Sequence, residues 1–181
     1  MTPPPVLAQT TLVLGGARSG KSAYAESLVE ERAGPCVYLA TATAGDAEMA
    51  ERIARHKARR GGRWRTVEEP LDLPAALADE AGPGRAVLVD CLTLWLANLM
   101  AAGRDPEAER DRLLAALSGL AGPVVLVSNE VGLGIVPEPA VARAFRDHAG
   151  RLNQALAAAA ATVIFMVAGL PMTLKGNGRG A

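Results

Sequence analysis

Residues 15–22 read Gly15-Gly16-Ala17-Arg18-Ser19-Gly20-Lys21-Ser22, two glycines five positions apart ahead of a lysine and a hydroxyl, the spacing of a phosphate-binding loop. Each residue type answers a chemical need. Glycines let the backbone curl until its N–H groups point inward, and the start of a helix adds the positive end of its dipole. Lys21 can then reach the outer phosphates of a nucleoside triphosphate, while Ser22 offers a hydroxyl to Mg2+. A second anionic group for that metal is expected at the end of a neighbouring buried strand, and Asp90 closes the apolar run Ala86-Val87-Leu88-Val89. The competing reading of Asp90 is a cap for the helix that starts near Leu92.

The chain has two histidines. His56 lies in Arg52-Ile53-Ala54-Arg55-His56-Lys57-Ala58-Arg59-Arg60, a basic helical segment able to neutralise phosphate. Surrounding positive charge favours the neutral, nucleophilic ring. A solvated basic helix face with an incidental histidine accounts for the same residues. His148, in Phe145-Arg146-Asp147-His148, reads as a surface or packing residue. The chain has no Asn-Lys-x-Asp sequence for base recognition, which disfavours a standard GTPase switch.

A phosphate loop works between a strand and a helix, and the surrounding pattern supplies both. Short apolar runs alternate with helical periodicity, which predicts an α/β fold with a mostly parallel central sheet. Strands are expected at 11–14, 37–41, 64–67, 86–89, 124–127 and 162–167, and helices at 21–33, 47–60, 92–102, 106–120 and 139–160. Nearly continuous apolarity in four strands implies burial on both faces. Asp105-Pro106 reads as an N-cap with proline in the first turn, and Gly122-Pro123 separates that helix from the next strand. Residues 155–174 carry no charge, but their alanine-rich first half and the interruptions at Gly169 and Pro171 predict a helix end followed by a buried strand, not a membrane span.

With 181 residues, half of them hydrophobic, one core is expected: a single domain over 10–175, with flexible tails at 1–9 and 176–181. Nineteen basic residues balance nineteen acidic ones, so no global field gathers nucleic acid or anionic lipid. Cys36 and Cys91 are too few for a disulfide framework and sit in apolar runs, which fits a reducing cytoplasm.

Four segments in order carry a more specific signature. They are the loop at 15–22; Arg55-His56-Lys57 followed by Trp64-Arg65-Thr66-Val67-Glu68; Asp90-Cys91-Leu92-Thr93-Leu94-Trp95; and Ser128-Asn129-Glu130-Val131-Gly132-Leu133-Gly134-Ile135-Val136-Pro137. Together, over residues 11–175, they resemble the bifunctional adenosylcobinamide kinase / adenosylcobinamide-phosphate guanylyltransferase family of cobalamin biosynthesis. The resemblance implies a three-layer P-loop NTPase fold of RecA-like type, a homo-oligomer with a trimer among the candidates, and no nucleic-acid partner or membrane insertion. It also implies two reactions. ATP or GTP phosphorylates the aminopropanol hydroxyl of adenosylcobinamide; GTP then donates GMP to that phosphate through a guanylyl-histidine, releasing pyrophosphate and giving adenosylcobinamide-GDP.

By the same resemblance His56 is the nucleophile and Lys21 assists it. Nucleotide contacts fall on Gly15, Gly16, Ala17, Arg18, Ser19, Gly20, Lys21, Ser22, Ala40, Thr41, Ala42, Lys57, Ala58, Arg59, Arg60, Glu68 and Asp90, with Ser22 and Asp90 holding Mg2+. A carboxylate repels phosphate, so Glu68 suits a base or ribose contact; an ion pair with Arg65 or Arg63 is the plainer alternative. Asn129 and Glu130 suit orientation of metal, water or the acceptor hydroxyl, although turn chemistry beside Gly132 and Gly134 explains them almost as well. The rival functions are a small-molecule kinase without transferase activity, a nucleotide-dependent switch, and a RecA-like nucleic-acid ATPase, the last disfavoured by zero net charge and 3% aromatic content.

Overall fold

The computed structural model describes residues 7–42 and 61–176. Its strands are β1 (Leu7–Gly15), β2 (Cys36–Ala40), β3 (Trp64–Glu68), β4 (Ala86–Asp90), β5 (Val124–Asn129), β6 (Ala160–Val167) and β7 (Leu170–Lys175). The described helices are α1 (Lys21–Glu30), α2 (Leu73–Glu80), α3 (Leu92–Ala101), α4 (Pro106–Ser118) and α5 (Ala140–Ala159). The strands form one sheet in the order β3-β2-β4-β5-β1-β6-β7, parallel throughout except for the β6–β7 pair.

Successive strand residues point to opposite faces, and here both faces are apolar, as the unbroken runs required. Leu12, Leu14, Val37 and Leu39 pack with Leu73, Leu77, Trp95, Leu113 and Leu156 from four helices on one side. Val13, Tyr38, Leu88 and Val127 pack with Ala25 and Val29 of α1 on the other. The result is the expected three-layer P-loop NTPase architecture. Trp95 is 1% exposed and its Nε1 donates to the Leu71 carbonyl at 2.9 Å. Trp95→Ala is therefore expected to lower stability by about 3–5 kcal/mol, read as a shift of the urea midpoint.

Local chemistry sets several boundaries. The Asp105 side chain accepts from the Glu107 amide at 2.9 Å and Pro106 occupies the first turn of α4, as anticipated. Helix α1 stops at Glu30, three residues before the periodicity ends, where Arg63 donates to the carbonyls of Glu30, Arg32 and Gly34. Strand β1 begins at Leu7, so residues 7–9 join the sheet instead of the tail. The helix expected at 47–60 lies outside the described residues.

Two elements escaped the sequence reading. Helix α2 is only eight residues long, and its buried Leu73 and Leu77 supply a single repeat of the helical period. Strand β7 follows a two-residue turn in which Ala168 and Gly169 both have left-handed φ, 52° and 81°, the geometry of a type I′ hairpin. Gly169 thus turns the chain without ending the sheet. Pro171 sits in the edge strand, where a missing N–H has no ladder partner to lose. No described helix is long and apolar enough to cross a membrane.

Candidate functional site

The loop at 15–22 leaves the C-terminal end of β1 and runs into α1. Gly15 is packed so closely that a Cβ would come within 2.5 Å of Ser19 Oγ and 2.8 Å of the Met166 carbonyl, so only glycine fits. Gly20, with φ of 91°, occupies the N-cap position of α1 in a left-handed conformation costly for other residues. Ala17 and Arg18 form the exposed crest, and Arg18 also has positive φ, 56°. Lys21 is buried, its Nζ donating to the Gly16 carbonyl across the loop at 3.0 Å, so the ammonium stands over the curl it is meant to serve. The β6–β7 turn braces the crest from outside: the Gly169 amide donates to the Ser19 carbonyl at 3.1 Å. Ser19 Oγ is buried and has no hydrogen-bond partner among the described residues, a donor left inside the loop.

The parallel sheet collects the other candidates on the same edge. Ala40 is opposite Glu68 on one side and Asp90 on the other; Asp90 is opposite Val127, and Gly15 opposite Asn129. At about 4.8 Å per strand, β4 lies about 10 Å from β1, and β3 about 19 Å from it. Asp90 is therefore two strands nearer the loop than Glu68. The helix-cap reading of Asp90 fails, because Cys91 holds the N-cap position of α3 and makes no side-chain cap bond. Instead Tyr38, on β2, donates its hydroxyl to Asp90 Oδ2 at 3.0 Å. Arg65 forms an ion pair with Glu80, and Arg63 donates to the backbone carbonyls of Glu30, Arg32 and Gly34.

Thr41 is fully buried. Its hydroxyl donates to the Cys91 carbonyl at 2.7 Å and accepts from the Cys91 amide at 2.9 Å, so it ties the tip of β2 to the start of α3. Asn98 adds donations to the Thr41 and Pro70 carbonyls at 2.8 and 3.1 Å. On the other flank, Thr93 Oγ1 accepts from the Asn129 amide at 2.8 Å and Asn153 donates to the Asn129 carbonyl at 3.2 Å. This frame of polar side chains locks the ends of β2, β4 and β5 together. No contiguous motif reveals it, since its members are 24 to 57 positions apart. Burial and the neighbouring Asp90 charge push the Cys91 thiol up to about 11, which keeps it protonated and inert at neutral pH.

Ala42 ends the described segment, and His56, Lys57, Ala58, Arg59 and Arg60 lie outside the described residues. His148 sits 3.3 Å from Glu107 between α5 and α4, on the helical side of the molecule, which matches its packing role.

Fold and loop together define a P-loop nucleotide-dependent enzyme of the three-layer α/β class. Residues 11–174 match the model of the family described as cobinamide kinase / cobinamide phosphate guanyltransferase. The chain is 55% identical to the bifunctional adenosylcobalamin biosynthesis protein CobP of Pseudomonas aeruginosa, over 92% of this chain and 97% of that one. It is 42% and 44% identical to proteins called bifunctional adenosylcobalamin biosynthesis protein CobU from Escherichia coli and Salmonella typhimurium, each over 91% of this chain and 98% of the relative. The chain belongs to this cobinamide kinase / guanyltransferase family, as its four motifs implied.

Proposed function

We propose that this chain phosphorylates the aminopropanol hydroxyl of adenosylcobinamide with ATP or GTP, then transfers GMP from GTP to the resulting phosphate. The observation that carries the reading is the glycine cradle with Lys21 across it, aligned on one sheet edge with Asp90 and Glu68. In the second reaction the neutral His56 imidazole attacks the α-phosphorus of GTP in line. A histidine–phosphorus bond forms, and pyrophosphate leaves with the electron pair into the field of Lys21 and the loop amides. A phosphate oxygen of adenosylcobinamide phosphate then displaces the histidine, giving adenosylcobinamide-GDP. Lys57, Arg59 and Arg60 offset phosphate charge beside His56, and Ala40, Thr41, Ala42 and Ala58 shape the nucleotide's surroundings.

Ser22 and Asp90 would hold Mg2+. A hydroxyl and a carboxylate are hard oxygen donors, and a pair of them suits an ion that keeps waters and phosphate oxygens as its remaining ligands. The described residues contain no cluster of three or more acidic, histidine or cysteine side chains that would favour another metal. When bound, Mg2+ neutralises charge on the phosphates.

Mass spectrometry after mixing the protein with GTP and Mg2+ tests the covalent step. One added GMP, localised to His56, is the expected result, and its absence would leave a kinase alone.

The functional unit we propose is a homo-oligomer, with a trimer as the state to test, working in the cytoplasm. Large apolar side chains stand exposed on the β5–α5 loop, Leu133 and Ile135 among them at 82% and 98%, and along β7 at Leu170, Met172 and Leu174. Patches of this kind are normally covered. Analytical ultracentrifugation should find an assembly of several chains; a monomer at micromolar concentration would refute it.

A further inference from the structure

The kinase step must remove a proton from the acceptor hydroxyl, and no residue considered so far does so. Asp90 is turned to Tyr38 and suited to a metal. Glu68 ends β3 and Glu69 directly follows it, about 19 Å from β1. One further carboxylate is on the described edge, and it is the one beside the cradle. Glu130 directly follows β5, the immediate neighbour of β1, and its own amide donates to the Gly15 carbonyl at 3.1 Å. Its side chain therefore rises from the rim of the loop that holds the phosphates. Glu130 Oε1 accepts from the Gly132 amide at 2.7 Å, while Oε2 has no hydrogen bond among the described residues. The group is half-buried, within reach of a substrate arriving from solvent.

Building on the two-reaction reading above, we propose that Glu130 is the catalytic base of the kinase step. The carboxylate takes the proton of the aminopropanol hydroxyl as that oxygen bonds to the γ-phosphorus, and the bond from that phosphorus to the bridging oxygen breaks, with the electron pair leaving on the nucleoside diphosphate. In the guanylyl transfer the acceptor is a phosphate, already ionised at neutral pH, so no proton needs removing there. Glu130 should consequently matter to one reaction and little to the other.

The chemistry supplies a clean test. Glu130→Gln keeps an oxygen to accept from the Gly132 amide, so it preserves the turn and removes only basicity. The kinase kcat is expected to fall by about 10²–10⁴-fold. Guanylyl transfer to preformed adenosylcobinamide phosphate should change by less than about ten-fold. Gly132→Ala serves as a second variant, since its Cβ would come within 2.9 Å of Glu130 Oε1 and displace the carboxylate. It should lower the kinase rate more than the transferase rate. Equal loss of both activities in Glu130→Gln, or kinase activity within about ten-fold of the parent, would overturn the assignment. A parent protein that phosphorylates no cobinamide at all would overturn the functional reading itself, and with it this role.

Discussion

A His56→Ala protein is expected to take up no label from α-labelled GTP and to form no adenosylcobinamide-GDP, while retaining much of its kinase activity. Removing a covalent nucleophile removes a step, not a contact, so guanylyl transfer should fall by on the order of 10³-fold or more. The phosphorylation reaction moves the γ-phosphoryl group directly to a hydroxyl and needs no imidazole. Measuring both rates on one preparation separates the outcomes: transfer surviving within about ten-fold would place the nucleophile elsewhere, and loss of both in a folded protein would end the division of labour.

Lys21→Ala should behave differently, with both reactions falling together by about 10²–10³-fold, the scale of losing one preorganised charge stabiliser. The reason is position. Lys21 is buried in the loop with Nζ held 3.0 Å from the Gly16 carbonyl, where a polyphosphate in the cradle meets it whichever phosphorus is attacked. In the kinase step it stabilises charge developing around the γ-phosphoryl group, and in the transferase step charge on departing pyrophosphate. A variant that lost kinase activity yet labelled His56 at the parental rate would show that GTP for guanylylation is held away from this loop.

The legible parts of the site share one property, contiguity. Residues 15–22 act within one turn of backbone, so their types and order were sufficient to read the cradle and the helix behind it. Asp90 could be located at a strand end from the run before it, but not freed from its helix-cap reading until Cys91 was seen in the cap position. Strand β7 was invisible for a physical reason: as an edge strand with both faces exposed it has no alternation to detect, and its proline and preceding glycine look like an ending. Helix α2 offered too few turns.

By itself the sequence determined the P-loop, the strand–helix alternation, the family and the segment in which His56 lies, because these depend on residue identity along consecutive positions. Which carboxylate stands nearest the loop at 15–22 was decided only by strand order. The inversion that puts β5 between β4 and β1 brings Glu130 against Gly15 and sends Glu68 four strands away, and long-range pairing of that kind is set by how the two apolar faces of the whole sheet are covered.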